Sequence, residues 1–175
     1  MFGFRTISFV ILVTFALGCE SPQHSFLRDH NDDNFQLFDH WSIQPRDEDD
    51  SGMFVMRYLC PVDSSDMISL VAAAQIQRKD SVAYRISVSE ADKERFCLVN
   101  HLINGQVKEY VDSVFHRFCK LKVRALSAQK NICIFNMKDG SALLKDENAV
   151  TDSTIQRFGK LGYQSLGNSW FIKRK

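Results

Sequence analysis

Five cysteines and five histidines are the side chains of this 175-residue chain best suited to hold a metal or attack a substrate. Two pairs have useful spacing. Cys97 and His101 stand four apart, and His116 and Cys119 three apart, so each pair shares one face if the chain there is helical. Together they would offer four zinc ligands. A plain antiparallel helical hairpin turning near Gly105 denies them a common metal. At about 1.5 Å per residue, His101 falls about 6 Å from the turn and His116 about 16 Å, an offset that bonds of about 2 Å cannot span. A Cys–His nucleophile would need one of these thiols as thiolate beside the imidazole. A third group, His30, Asp32, Asp33, Asp39 and His40, has neither the zinc spacing with cysteine nor the glycine and distal glutamate of a calcium loop. There is no G-x-S-x-G elbow, no phosphate-cradling glycine loop and no H-E-x-x-H. Catalytic residues, metal ligands and cofactors are therefore expected to be none.

Charge points to binding instead. The net charge of +1 hides a split: residues 20–52 carry nine acids against Arg28 and Arg46, a charge of −7, and residues 53–175 carry +7. Lys120, Lys122, Arg124 and Lys130, with Lys173, Arg174 and Lys175 at the end, make a basic surface suited to an acidic protein partner. Anionic lipid head groups and the chain's own acidic arm are the competing occupants.

The first nineteen residues, MFGFRTISFVILVTFALGC, set the compartment. Arg5 is a positive n-region, residues 6–15 are an apolar run too short to span a bilayer, and Ala16-Leu17-Gly18-Cys19 closes with small residues before a cysteine. This resembles the signal and lipobox of bacterial membrane lipoproteins. The resemblance covers the signal only. It implies cleavage before Cys19, a lipid such as palmitate on that residue, and a bacterial cell-envelope location facing the periplasm. Ala16 and Gly18 equally satisfy the small-x-small rule of simple cleavage, which would make the protein secreted. Nucleic acid is not an expected partner outside the cytoplasm.

An exported chain meets an oxidising compartment, so Cys60, Cys97, Cys119 and Cys133 are expected to pair. The helical offset disfavours Cys97–Cys119, and hairpin register disfavours Cys119–Cys133. Cys60–Cys119 with Cys97–Cys133 is left.

The positioning elements follow from periodicity. Residues 53–60 read as a buried strand, and residues 67–79 as a helix with Ile68, Val71, Ala72 and Ile76 on one face behind Ser64-Ser65-Asp66 caps. Residues 82–88 alternate as a strand. Ser89 caps a helix ending near Asn104-Gly105, and residues 106–118 form the most periodic helix. Residues 120–126 alternate as a strand showing Lys120, Lys122 and Arg124 together. Residues 131–137 are a strand, a short helix runs from Thr151 or Asp152 to Phe158, and residues 163–172 are a strand or a hairpin about Gly167-Asn168.

These elements predict an α+β fold: one small domain, a mostly antiparallel sheet with three to four helices. Residues 1–18 are the signal, 19–52 an acidic tether docked through residues 35–41, and 53–175 the basic domain. The function expected is a lipid-anchored envelope binding or assembly protein presenting a disulfide-stapled basic domain. A periplasmic inhibitor or immunity protein blocking a toxin or hydrolase is the alternative, and a secreted hydrolase the second alternative.

Overall fold

The structure is a computed structural model describing residues 21–47, 52–77, 82–103, 105–148 and 150–175. The signal and Cys19 lie outside the described residues. The chain divides into two compact units, Met1–Asp33 and Asn34–Lys175. In the first unit, helix α1 (Pro22–His30) starts at a Ser21 cap with Pro22 at its first turn. His30 Nδ1 lies 2.7 Å from Asp33 Oδ2, closing its C-terminal end.

The second unit is α+β. Its strands are β1 (Trp41–Pro45), β2 (Met53–Pro61), β3 (Met67–Ile76), β4 (Val82–Ser87), β5 (Ala125–Gln129), β6 (Ile132–Asn136), β7 (Ala142–Asp146), β8 (Gln164–Gly167) and β9 (Trp170–Lys173). Among the described residues they form one antiparallel sheet in the order β4-β3-β2-β1-β5-β6-β7-β9-β8. The helices are α2 (Glu90–Val99), α3 (Val107–Leu121) and α4 (Asp152–Lys160), with a 3-10 turn at Gln36–Phe38.

Register assigns the two faces. Trp41, Tyr58 and Leu70 share a row, as do Ile43, Met56 and Ala72. All six are buried. Helices α2 and α3 cover this face over β1–β4. Phe96 meets Tyr58 edge-on at 4.8 Å, and Phe115 and Phe118 meet Phe54 at 5.3 and 5.5 Å. Such edge contacts add to area burial. Phe35 covers the same face farther along, against Phe135 at 4.8 Å and Trp170 at 6.0 Å. The opposite face is covered at β6, β7 and β9, where Phe158 of α4 packs with Leu144 and Phe171. Over β1–β4 that face remains open, with Leu59 43 %, Met67 50 % and Val71 38 % exposed.

Three expectations are corrected here. Residues 67–76 are strand, not helix. Alternation of Ile68, Leu70, Ala72 and Ala74 inward wins because β3 is laddered on both sides, by β2 and β4. The residues expected to cap a helix instead make a hairpin turn. Asp63 Oδ1 accepts from the Ser65 and Asp66 amides at 2.8 and 2.9 Å, and the Ser65 amide holds the Asp63 carboxyl below its usual range.

The boundary at Met53 moves to Asn34. Residues 34–47 are part of the sheet domain rather than a tether docked on it. Trp41 and Ile43 are fully buried in β1, the strand that joins β2 to β5.

Residues 120–126 are not one strand. Helix α3 runs to Leu121, Lys122 caps it in the left-handed region (φ 55°), and β5 begins at Ala125.

Candidate functional site

The seam between β1 and β5 generates the site. Its ladder consists of Ser42↔Ser127 and Ile43↔Leu126 and then stops. Proline at position 45 has no N–H to continue it. On the other side, the Arg124 amide is engaged by the Asn136 carbonyl at 2.8 Å. Beyond Ile43 no further ladder pair forms, and residues at the C-terminal end of α3 line a cavity there with Pro45 and Arg124.

The result is a cavity of about 520 Å³ lined by Pro45, Phe54, Ile76, Phe118, Cys119, Lys122, Val123, Arg124 and Lys138. That size falls within the range of small-ligand sites. The floor is apolar, made by Phe54, Ile76, Phe118 and Val123. Three cations stand around it, and among the described residues that line it there is no carboxylate. The neighbouring Asp139 carboxylate accepts from the Ser141 amide at 2.9 Å and hydroxyl at 2.7 Å. An anion with an apolar portion matches both surfaces. The field is strongest at low salt, because exposed charges are screened over about 8 Å at physiological ionic strength.

The local fold explains each cation. Lys122 ends α3 in a conformation that usually falls to glycine. Arg124 precedes β5. Lys138 comes from the β6–β7 turn. The β5–β6 hairpin turns at Lys130-Asn131, both at positive φ (47° and 64°), and its register sets Ala125 opposite Asn136. This carries Lys138 back to Arg124.

Of the four basic residues expected to act together, the structure brings Lys122 and Arg124 into one cavity. Lys120 is exposed on α3, and Lys130 sits in the turn at the far end of β5, about 20 Å away at about 3.3 Å per residue. Charge clustering along the sequence misses Lys138. The signal for it is the two-residue Lys130-Asn131 turn, from which the hairpin register can be counted.

The cysteines require a further correction: Cys60, Cys97, Cys119 and Cys133 are free. Cys60 and Cys119 stand at opposite ends of β2. Cys119 shares the cavity with Phe54, six residues from Cys60, or about 20 Å of strand against the about 7 Å a bridge tolerates. Cys133 is buried in β6. Burial, with the charges of Glu147 and Asp39, pushes its thiol far up. Cys97 is buried on α2. Cys119 is exposed on α3, and the burial of its sulfur against the cavity wall pushes its thiol up as well. Neither Cys119 nor Cys133 is thus poised as a thiolate.

Among the described residues no group of three or more His, Cys, Asp and Glu is placed to hold a metal. His116 Nδ1 lies 3.7 Å from Asp112, and Asp112 accepts from the Tyr84 hydroxyl at 2.7 Å. Burial first, then that bond and the Asp112 charge, push the Tyr84 phenol far above its ordinary value of 10.0. This chain of contacts ties β4 to α3. No described helix is long and apolar enough to cross a membrane.

No family model, curated protein or solved structure matches the chain.

Proposed function

We propose that this chain is a binding protein whose sheet domain captures an acidic partner protein at the cavity between α3 and the end of the sheet. The observation that carries the reading is the set of Lys122, Arg124 and Lys138 around the apolar side chains Phe54, Ile76, Phe118 and Val123. Paired charge alone favours fast, weak encounter. The floor adds apolar burial, worth about 25 cal/mol per Å². Backbone strain at Lys122 supports the same reading. A left-handed lysine costs about 1–2 kcal/mol relative to a relaxed residue, and such strain collects where a side chain is used.

In the same reading, a lipid on Cys19 holds the domain at a bacterial envelope, with the signal sequence as support. Capture from envelope extracts by wild type and by a K122E/R124E/K138E variant tests the binding reading. Partner recovery that falls with the charge reversal and with rising salt is expected; equal recovery by both proteins would contradict it. A single captured hydrolase or toxin would assign the protein as an inhibitor, and a multi-subunit complex as an assembly factor. Palmitate incorporation abolished by Cys19→Ala is the expected result for the tether.

A further inference from the structure

A second cavity, of about 340 Å³, is lined by Gln44, Pro45, Arg124, Ala125, Leu126, Ser127, Asn136, Met137 and Gly140. Gln44, Ala125, Ser127 and Asn136 alternate away from the buried Ile43, Leu126 and Phe135, so this groove lies on the sheet face opposite α3. Pro45 and Arg124 line both cavities. The two therefore adjoin at the end of the sheet, where the β1–β5 ladder stops. We infer that the partner enters as an extended acidic segment that passes around this end, with an apolar side chain in the α3-side cavity and its backbone in the groove behind. The inference rests on the binding reading above and specifies the partner's form.

The linings differ in a way that suits such a segment. The α3 side offers apolar floor and cations. The groove offers a small-residue floor, Ala125, Ser127 and Gly140, which allows close approach. Gln44 and Asn136 add amide side chains that both donate and accept, as a peptide backbone requires. Gly140 has φ +86°, and the Lys175 side chain lies 2.9 Å from where a Cβ would stand, so a further cation reaches the groove's rim. A compact anion occupies one cavity only. A sheet edge about 10 Å thick is crossed by about three extended residues, at about 3.3 Å each, so a six-residue segment reaches into both cavities.

Fluorescence anisotropy with a fluorescein-labelled peptide of sequence Asp-Glu-Phe-Asp-Glu-Asp and the full chain tests the path. K122E/K138E should weaken binding at least twentyfold. The near-isosteric groove variants Q44E and N136D should each weaken it at least fivefold, with unchanged melting temperatures. A probe truncated after Phe should ignore the groove variants. If the full peptide binds, depends on Lys122 and Lys138, and is indifferent to Q44E and N136D, the crossing is wrong and the site takes a single compact anion. Displacement of the peptide by sodium laurate at equal concentration would likewise overturn the crossing. If no acidic probe binds even at low salt, the binding reading falls as well.

Discussion

Ile43 pairs with Leu126 at the one seam that joins the two halves of the sheet. Both are fully buried. Among the described residues, this short ladder is the pairing that joins β1–β4 to β5–β9. An acid-rich stretch that composition marks as a linker thus supplies an interior strand, paired on both sides.

A chain beginning at Met53 should therefore fail to fold. It would lose β1 together with the buried Phe35, Phe38 and Trp41. The point variant Ile43→Ala should destabilise by about 2–4 kcal/mol, as for other buried aliphatic truncations. Urea denaturation checks both. A cooperative transition for the Met53 chain would show that β1 is dispensable.

How much is legible in the sequence follows from particular residues. Helix α3 is readable because Val107, Val111, Val114, Phe115 and Phe118 keep helical spacing and sit on one buried face. The β8–β9 hairpin is readable from Gly167-Asn168; Asn168 and Ser169 take the positive φ its turn needs. β3 reads wrongly as helix because Ile68 and Ala72 satisfy the helical and the alternating period alike. Only its two neighbours in the sheet decide between them. β1 is hidden by its acidic surroundings, since five residues carry too little pattern to outweigh composition. The site is half legible. Lys122 and Arg124 stand out as charges, but Lys138 and the Phe54–Phe118 floor come together only in three dimensions.

Lys122 should reveal a trade between stability and binding. Replacing it by glycine relaxes the left-handed cap and should raise stability by up to about 1 kcal/mol. The same change removes a cation from the cavity and should weaken capture of an acidic peptide severalfold. Thermal unfolding and anisotropy on one sample measure both. Lower stability for Lys122→Gly would show that the cap is unstrained.

The thiols should respond unequally. Among Cys60, Cys97, Cys119 and Cys133, a bulky maleimide should modify Cys119 alone in the native chain, and slowly, because its thiol is held protonated above the ordinary value of 9.0. Cys60, Cys97 and Cys133 should react only in denaturant. Mass spectrometry counts the adducts, and the Cys119 adduct should block peptide binding. Fewer than four reactive thiols in unreduced, denatured protein would restore the disulfide expectation.

Alkaline pH should destabilise the fold. Burial pushes the Tyr58 and Tyr84 phenols above 10.0, and the Asp112 bond pushes Tyr84 further. The folded state then holds protons that the unfolded chain releases. This stability is fully present below about pH 10 and is lost as pH rises toward the native values. Tyr84→Phe should cost about 1 kcal/mol at neutral pH and flatten the alkaline decline. Urea midpoints from pH 7 to 11 would show it; an equal slope in the variant would remove Tyr84 from the account.

The central claim is that acidic protein segments bind at the end of the sheet. Amide chemical-shift mapping of the full chain with the Asp-Glu-Phe-Asp-Glu-Asp peptide tests it most directly. The account predicts the largest shifts at Phe54, Ile76, Phe118, Cys119 and Val123 on one face and at Ser127 and Asn136 on the other, fading as salt rises. Shifts absent from these residues, or centred on the open face around Val71, would contradict it.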